Sequence, residues 1–390
     1  MNYNLSIVIP TKDRQYYCLK AVNQIVGVIE SSNYNVEIVI YDNSEEDLLQ
    51  NMILELEKKY IKYFYHGKQL SFIDNFDLAL KSATGEYVLI IGDDDGVLPT
   101  IFPVLEFANK NQIDAVIPDL NVVYFWPNQQ KIAKNSENGL LILAKKRQYI
   151  KKVNTSNAII ELMKNAGQEY QKINLSRLYH GIIKRDSLKL NENKKYFGGL
   201  SPDIYASISS SLTSKNTIKL SIPVTISGIS PKSGSSDSAT GKHQGNIESA
   251  PHFAGQKGYD WFEKIPKIYS VETIWAETAI KALVDFGKEE LAENFNYKWL
   301  EFLLTKKYKS YLDNINYVYR NKSIETIFFN LRYYYKKTFL RIFRKILFKY
   351  KKYKVESIDT LEEVEKFVSS KYNERYVKKV FKKGEKIFNA

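Results

Sequence analysis

Three aspartates in a row, Asp93-Asp94-Asp95, follow the apolar run Tyr87–Ile91 and are closed by Gly96. Adjacent carboxylates repel one another, so the triplet reads either as a solvated acidic turn or as a site for a hard cation. Mg²⁺ takes one or two carboxylates and fills the rest of its shell with water and substrate phosphates. Held there, it would neutralise the charge that develops on a leaving diphosphate. Two other polar groups also follow apolar runs. Pro10 ends the run LSIVIP and is followed by Thr11, Lys12, Asp13 and Arg14; Asp42, Asn43 and Ser44 end the run VEIVIY. A fourth acid, Asp203, lies in the turn Gly198-Gly199-Leu200-Ser201-Pro202-Asp203 ahead of a helical pattern. A carboxylate can take the proton of an acceptor hydroxyl, which is a weak nucleophile until deprotonated. Asp203 equally suits the first turn of a helix, where a negative charge opposes the dipole, and the two roles are compatible.

The elements that must position these residues are legible as alternation. Leu5–Pro10, Val36–Tyr41, a weaker run at Tyr60–Tyr65, Tyr87–Ile91 and a stretch within Asp114–Val123 are apolar and rich in β-branched residues, as strands buried on both faces require. Between them lie helical patterns at Tyr16–Glu30 and Phe72–Ala83. In the second, Ile73, Phe76, Leu80 and Ala83 share one face, and Gly85 stops the helix. Strands alternating with helices predict βαβ units and an α/β fold with a mostly parallel sheet. Ligands of such sheets bind at the carboxyl ends of the strands, where all three polar groups fall.

Residues 126–200 are less readable, with a strand expected at Tyr179–Ile183; a turn at Gly198–Asp203 and a helix at Ile204–Leu212 are expected after it. Residues 227–258 are rich in Ser and Gly, as suits either a disordered loop or a lid that closes over a ligand and excludes water. Lys242 and His243 lie within it. From Trp261 onward the pattern is helical. His66 and His180 read as structural, and Cys18 as packed in the first helix.

The order IVIPTKDR, EIVIYDNS and GEYVLIIGDDDGVLP resembles the family 2 glycosyltransferases of the GT-A fold, strongly over about residues 4–125 and loosely to about 255. The resemblance implies a Rossmann-like sheet flanked by helices. It further implies a nucleotide-sugar donor, most commonly a UDP-sugar, and a bacterial capsule or surface-polysaccharide product. Pro10, Thr11, Arg14 and Asp42 then match the nucleoside-binding positions. The family's DxD motif falls on Gly92-Asp93-Asp94, so its first acid is glycine here. Asp93 is assigned the ribose and Asp94 the metal, Mn²⁺ or Mg²⁺, with Asp95 able to share or replace it. The GGLSPD turn resembles the acceptor-side acidic motif, which makes Asp203 the base. Lys242 would meet the diphosphate; in some relatives a late histidine completes the metal shell, a place His243 could take, although an incidental histidine in a solvated loop is the favoured reading. A nucleotidyltransferase is the enzymatic alternative, against which stands the glycine-free loop IVIPTKDR; a non-enzymatic module that binds membrane or nucleic acid is the other.

Composition bounds these readings. A chain of 390 residues with 44% hydrophobic and 26% charged residues suits two or three domains. The expected division is a GT-A catalytic domain over 1–258 (nucleotide-sugar half 1–125, acceptor half 126–226, lid 227–258) and a helical, basic domain over 259–390. One cysteine excludes an internal disulfide and fits a reducing, cytoplasmic setting. No secretory leader or membrane-spanning stretch is expected. Residues 300–390 hold 23 Lys and Arg against 10 Asp and Glu, which accounts for the entire formal net charge of +13. Residues 326–355 carry ten of these bases and no acid. Phe339, Ile342, Phe343, Ile346 and Leu347 recur among them at helical spacing. Such a helix suits an anionic membrane surface and a peripheral place on the inner face of the cell membrane, near a saccharide or lipid-linked acceptor; the alternative is an ordinary helix packed on the catalytic domain with a solvated basic face. Nucleic acid is disfavoured, because no RNA-binding motif accompanies the charge.

Overall fold

Strand β1 (Leu5–Thr11) lies between β2 (Val36–Asp42) and β4 (Tyr87–Ile90), and every residue of the three is buried. The computed structural model describes residues 3–67, 69–118, 122–127, 139–144, 147–231, 244–247, 253, 258–308, 327–335 and 352–388. Side chains alternate across this sheet. Leu5, Ile7, Ile9, Ile38, Ile40 and Leu89 face one side, where α1 (Gln15–Glu30) and α4 (Ile101–Lys110) cover them. Val8, Val39, Val88 and Ile90 face the other, against Ile73, Phe76 and Leu80 of α3 (Phe72–Lys81). A continuous apolar run is what a strand covered by helices on both faces needs.

The principal sheet runs β3-β2-β1-β4-β10-β6-β11-β9. Its remaining strands are β3 (Ile61–Tyr65), β6 (Ala115–Pro118), β9 (Ile150–Val153), β10 (Ile182–Lys184) and β11 (Thr217–Leu220). All run in β1's direction except β10 and β9. The fold is thus the expected α/β, mostly parallel and GT-A-like. The chain winds outward through β2 and β3, then crosses back to β4 on β1's far side. The crevice between β1 and β4 is therefore a topological switch point, where an open sheet forms its ligand site.

A second sheet, β15-β8-β7-β12-β5, stands beside it. It is built from β5 (Gly96–Val97), β7 (Val122–Phe125), β8 (Leu140–Ala144), β12 (Thr225–Ile229) and β15 (Lys352–Glu356). A strand pair, β13 (Gln244–Asn246) and β14 (Ile268–Ser270), precedes α7 (Val271–Val284). A second core joins α5 (Thr155–Lys164), α6 (Pro202–Thr213) and α7 to α9 (Tyr297–Lys307), after the short α8 (Glu289–Ala292).

The helical expectation beyond Trp261 needs correcting at β14 and β15. The chain beyond residue 258 also divides between the two cores. Phe329 and Tyr333, in the helix of residues 327–335 (α10), pack on the second core. Ile358, Leu361, Val364, Val368, Tyr376 and Val380 return to the first, carried mostly on α11 (Leu361–Lys371) and α12 (Glu374–Phe388). Most of residues 326–355 lies outside the described residues.

Candidate active site

The chain leaves β1 at Thr11 and turns into α1 through Asp13, a non-glycine residue in the left-handed region at φ 55°. That turn lets Asp13 stitch two strand ends together. Its N–H donates to Ser44 Oγ at 2.7 Å, and its Oδ1 accepts from Glu45 N–H at 3.1 Å. Thr11 pairs in register with Asp42. Asp42, fully buried, accepts the Ser44 N–H at 2.9 Å, the Ser44 hydroxyl, and the Tyr63 hydroxyl at 3.0 Å. Burial outweighs these bonds and raises its pKa.

The triplet reaches across from β4. Thr11 Oγ1 donates to Asp93 Oδ2 at 2.7 Å. Arg14, at the start of α1, spans two carboxylates: Nη1 lies 3.0 Å from Asp93 Oδ1 and Nη2 2.7 Å from Asp94 Oδ2. Nη2 also donates to Ser230 Oγ at 2.5 Å. Burial works against the guanidinium's charge, but Asp93 and Asp94 outweigh it and raise the pKa. For Asp93 and Asp94 burial leads, Arg14 opposes it, and both pKa values are raised. Asp93 Oδ1 is buried without a hydrogen-bond partner, so its contact with Arg14 is an ion pair only.

Asp95 is held differently. Its Oδ2 accepts the Gly92 N–H at 2.6 Å and the Tyr179 hydroxyl at 3.2 Å, with His180 Nε2 also at 3.2 Å. Its Oδ1 accepts the Gly228 N–H at 2.7 Å. Four protein groups therefore converge on the Asp95 carboxylate, and it ties β4, the segment before β10, and β12 together.

Several contributors had no signal of their own in the sequence. Ser230 N–H donates to Asp94 Oδ2 at 2.9 Å, and Trp126 Nε1 donates to the Asp94 carbonyl at 2.9 Å. Both lie just beyond second-sheet strands, whose pairing is long-range. His180, read as structural, is a neighbour of Asp95; its Nδ1 lies 2.9 Å from Thr225 Oγ1. Its place beside Tyr179 and an acid-bearing turn emerges only from the fold. Cys18 is buried in α1 as expected, and His66 stacks on Tyr41 at 5.1 Å.

Asp203 lies in the first turn of α6. Its Oδ1 accepts the Ser201 hydroxyl at 2.5 Å and the Ile204 N–H at 2.9 Å, and Tyr170 donates its hydroxyl to Oδ2. Its helix-start role is therefore realised. Three residues separate α6 from β11, which runs in β1's direction. A helix returning to such a strand begins near the strand's carboxyl edge, the edge that carries Thr11, Asp42 and the triplet. Lys242 and His243 lie outside the described residues. Among the described residues, no group of three or more His, Cys, Asp or Glu is arranged to hold a metal ion.

Chemically, two buried carboxylates face one guanidinium, with a third close behind. The acid is in excess, and a divalent cation would balance it. Asp93 and Asp94 supply the one or two carboxylates that Mg²⁺ or Mn²⁺ takes from protein, so the residues present fit such an ion.

Residues 6–166 match the family model described as Glycosyl transferase family 2. Abequosyltransferase RfbV of Salmonella typhimurium (strain LT2) is 30% identical over 118 residues, which cover 30% of this chain and 35% of that protein. The match thus spans about a third of the relative's length. Among solved structures, S. aureus TarS 1-349 in complex with UDP-GlcNAc is 16% identical, with a TM-score of 0.44 over 80% of this chain and 89% of that one. The mannosyltransferase PcManGT from Pyrobaculum calidifontis, in complex with GDP-Man and Mn2+, is 12% identical, with a TM-score of 0.37 over 96% of this chain and 88% of that one. With TM-scores below 0.5, neither bears on the fold or the site.

Proposed function

We propose, from the match of residues 6–166 to the Glycosyl transferase family 2 model, that the chain is an inverting transferase. It moves a sugar, a hexosyl or N-acetylhexosaminyl group, from a nucleotide-sugar to an acceptor hydroxyl in bacterial surface-polysaccharide synthesis. The donor is taken to be a UDP-sugar. One observation carries the reading: Thr11 and Arg14 from the end of β1 meet Asp93 and Asp94 from the end of β4 at the sheet's switch point.

In this reading Pro10, Thr11, Arg14 and Asp42 form the nucleoside side of the crevice. Asp93 accepts a ribose hydroxyl, for which its buried Oδ1, ion-paired with Arg14 but without a hydrogen bond, is a ready acceptor once Arg14 turns to the phosphates. Asp94 holds Mn²⁺ or Mg²⁺, which when bound neutralises charge on the departing diphosphate. Asp95 keeps the turn in place, because its oxygens already serve four protein groups. Arg14 moves from the two carboxylates toward the donor phosphates. Asp203 takes the acceptor's proton, oriented by the hydroxyls of Tyr170 and Ser201. Lys242 and His243 are assigned to the lid, on the diphosphate and the metal.

The acceptor is a saccharide, free or lipid-linked. No helix among the described residues is long and apolar enough to cross a membrane. We place the chain in the cytoplasm, peripheral on the inner face of the cell membrane, on the strength of the basic run at 326–355.

The test is a screen of nucleotide-sugars for hydrolysis with and without Mn²⁺. Hydrolysis should require the metal. Asp94→Ala should lower the rate by at least about 100-fold, the scale on which one electrostatic group counts in catalysis. Asp203→Ala should spare donor binding, seen as stabilisation by UDP with Mn²⁺, while abolishing transfer. Full transfer by Asp203→Ala would remove the base assignment. Indifference to every nucleotide-sugar would remove the enzyme.

A further inference from the structure

The helix of residues 327–335 has two unlike faces. Its inner face is locked to the second core. Phe329 lies 5.4 Å from Trp299 and 5.7 Å from Phe302, and Tyr333 lies 6.0 Å from Phe302. Arg332 sits 4.4 Å over the Trp299 ring and donates to Asn165 Oδ1 at 2.9 Å. The outer face carries Ile327, Phe328, Leu331, Tyr334 and Tyr335, which are 60%, 68%, 64%, 53% and 71% exposed. Their spacing of one, four, seven and eight places them within about 120° of arc on a helix of 3.6 residues per turn. Scattered exposed apolar residues are ordinary, but five large ones in a stripe mark an interaction surface.

Charge selects the partner. Residues 336–354, which follow at once in the chain, contain nine Lys and Arg and no acid. A second copy would bring the same positive charge to the contact. An anionic bilayer offers the opposite charge together with an apolar interior, and aromatic side chains settle at its boundary. We infer that Ile327, Phe328, Leu331, Tyr334 and Tyr335 form a face that inserts into the surface of an anionic bilayer. The core beneath this helix also holds Tyr170, Ile204, Tyr205 and Ile208, the surroundings of Asp203. Insertion would therefore hold the acceptor half close to the lipid surface, where a lipid-linked acceptor is presented. This last step rests on the transferase reading, and the insertion itself does not.

The experiment uses the full chain and vesicles of equal parts phosphatidylglycerol and phosphatidylcholine, beside vesicles of phosphatidylcholine alone. Wild type should sediment with the anionic vesicles. The triple variant Phe328→Ser, Leu331→Ser, Tyr335→Ser should bind at least tenfold more weakly, with its melting temperature and donor hydrolysis unchanged. The tryptophan fluorescence that Phe328→Trp adds to the wild-type signal should shift to the blue on vesicle binding and be quenched by lipids brominated in the acyl chain. Equal binding by wild type and the triple variant, or no quenching of that added fluorescence, would overturn the insertion face. Wild type that is dimeric in sedimentation equilibrium, while the triple variant is monomeric, would overturn it in favour of an interface between copies. Absence of all vesicle binding would overturn it too, yet intact donor hydrolysis would leave the transferase standing.

Discussion

Glu277 of α7 is 1% exposed. Its oxygens accept the Phe262 N–H at 3.2 Å and the Tyr259 hydroxyl at 3.3 Å. Burial pushes its pKa up to about 7, against the opposing pull of the Phe262 N–H, Tyr259 and Lys281. The folded chain then keeps this proton to near neutrality, whereas an unfolded glutamate loses it near pH 4.3. The folded state binds the extra proton, so stability falls as pH rises between those two values. Glu277→Gln should flatten the decline in melting temperature between about pH 5 and about pH 7.5, a contribution on the order of 1–3 kcal/mol. An undiminished pH slope in the variant would show that Glu277 is not the group responsible. Glu277 had no signal in the sequence, where it is one acid in a helical stretch. Thr11, Arg14, Asp42 and the triplet were legible because each directly follows an apolar run, and strand ends of a parallel sheet converge on one edge. Ser230, Trp126, Tyr170 and Tyr179 were not, because they reach the acids through pairings with partners from 32 to 136 positions away.

Among the elements, β12 does most to fix the triplet. A Cβ on Gly228 would stand 1.8 Å from the Asp94 carbonyl oxygen, and the Gly228 N–H holds Asp95. Backbone meets backbone there, so no side-chain rotation relieves a larger residue. Gly228→Ala should destabilise the chain by about 1–3 kcal/mol, the usual cost of overpacking. It should also abolish stabilisation by UDP with Mn²⁺, both read from thermal melts. A variant that melts like wild type and still responds to UDP would show that β12 does not support the turn. Gly85 teaches a related lesson. The sequence reads it as a helix stop, while the structure shows a close approach to β1. Its Cβ would lie 2.6 Å from Ser6 N, and its N–H donates to Ser6 Oγ at 2.7 Å. Central strands and their helices were legible because burial on both faces writes itself as periodicity. The second sheet was not, because β5 has two residues and β7 four, too few for a period to show.

At the scale of the whole molecule, the basic C-terminal part does not behave as one appendage. Strand β15 pairs antiparallel with β8 from Lys352 opposite Ala144 to Glu356 opposite Leu140. The Tyr124 hydroxyl donates to the Ile358 carbonyl at 3.1 Å, and the Tyr376 hydroxyl to the Ser221 carbonyl at 3.0 Å. Phe381 stacks on Phe107 at 4.5 Å. Leu361, Val364, Val368, Tyr372, Val377 and Val380 are all buried in the core that α1 and α4 share with the central strands. Residues 352–388 thus complete the first core, although their composition suggests a solvated or membrane-bound tail. Burying one such side chain contributes about 1.5–3 kcal/mol. Six of them together rival the 5–15 kcal/mol by which a domain is stable, even allowing for the compactness of real unfolded chains. Removing residues 352–390 should therefore leave a protein without a cooperative melt, not a soluble transferase detached from membranes. Circular dichroism melts of the truncated and full-length chains test this. A truncated chain that melts within about 5 °C of full length would mean that the returning segment is dispensable to the core, since a loss of even 2 kcal/mol moves a 150–250-residue domain by about 4–8 °C.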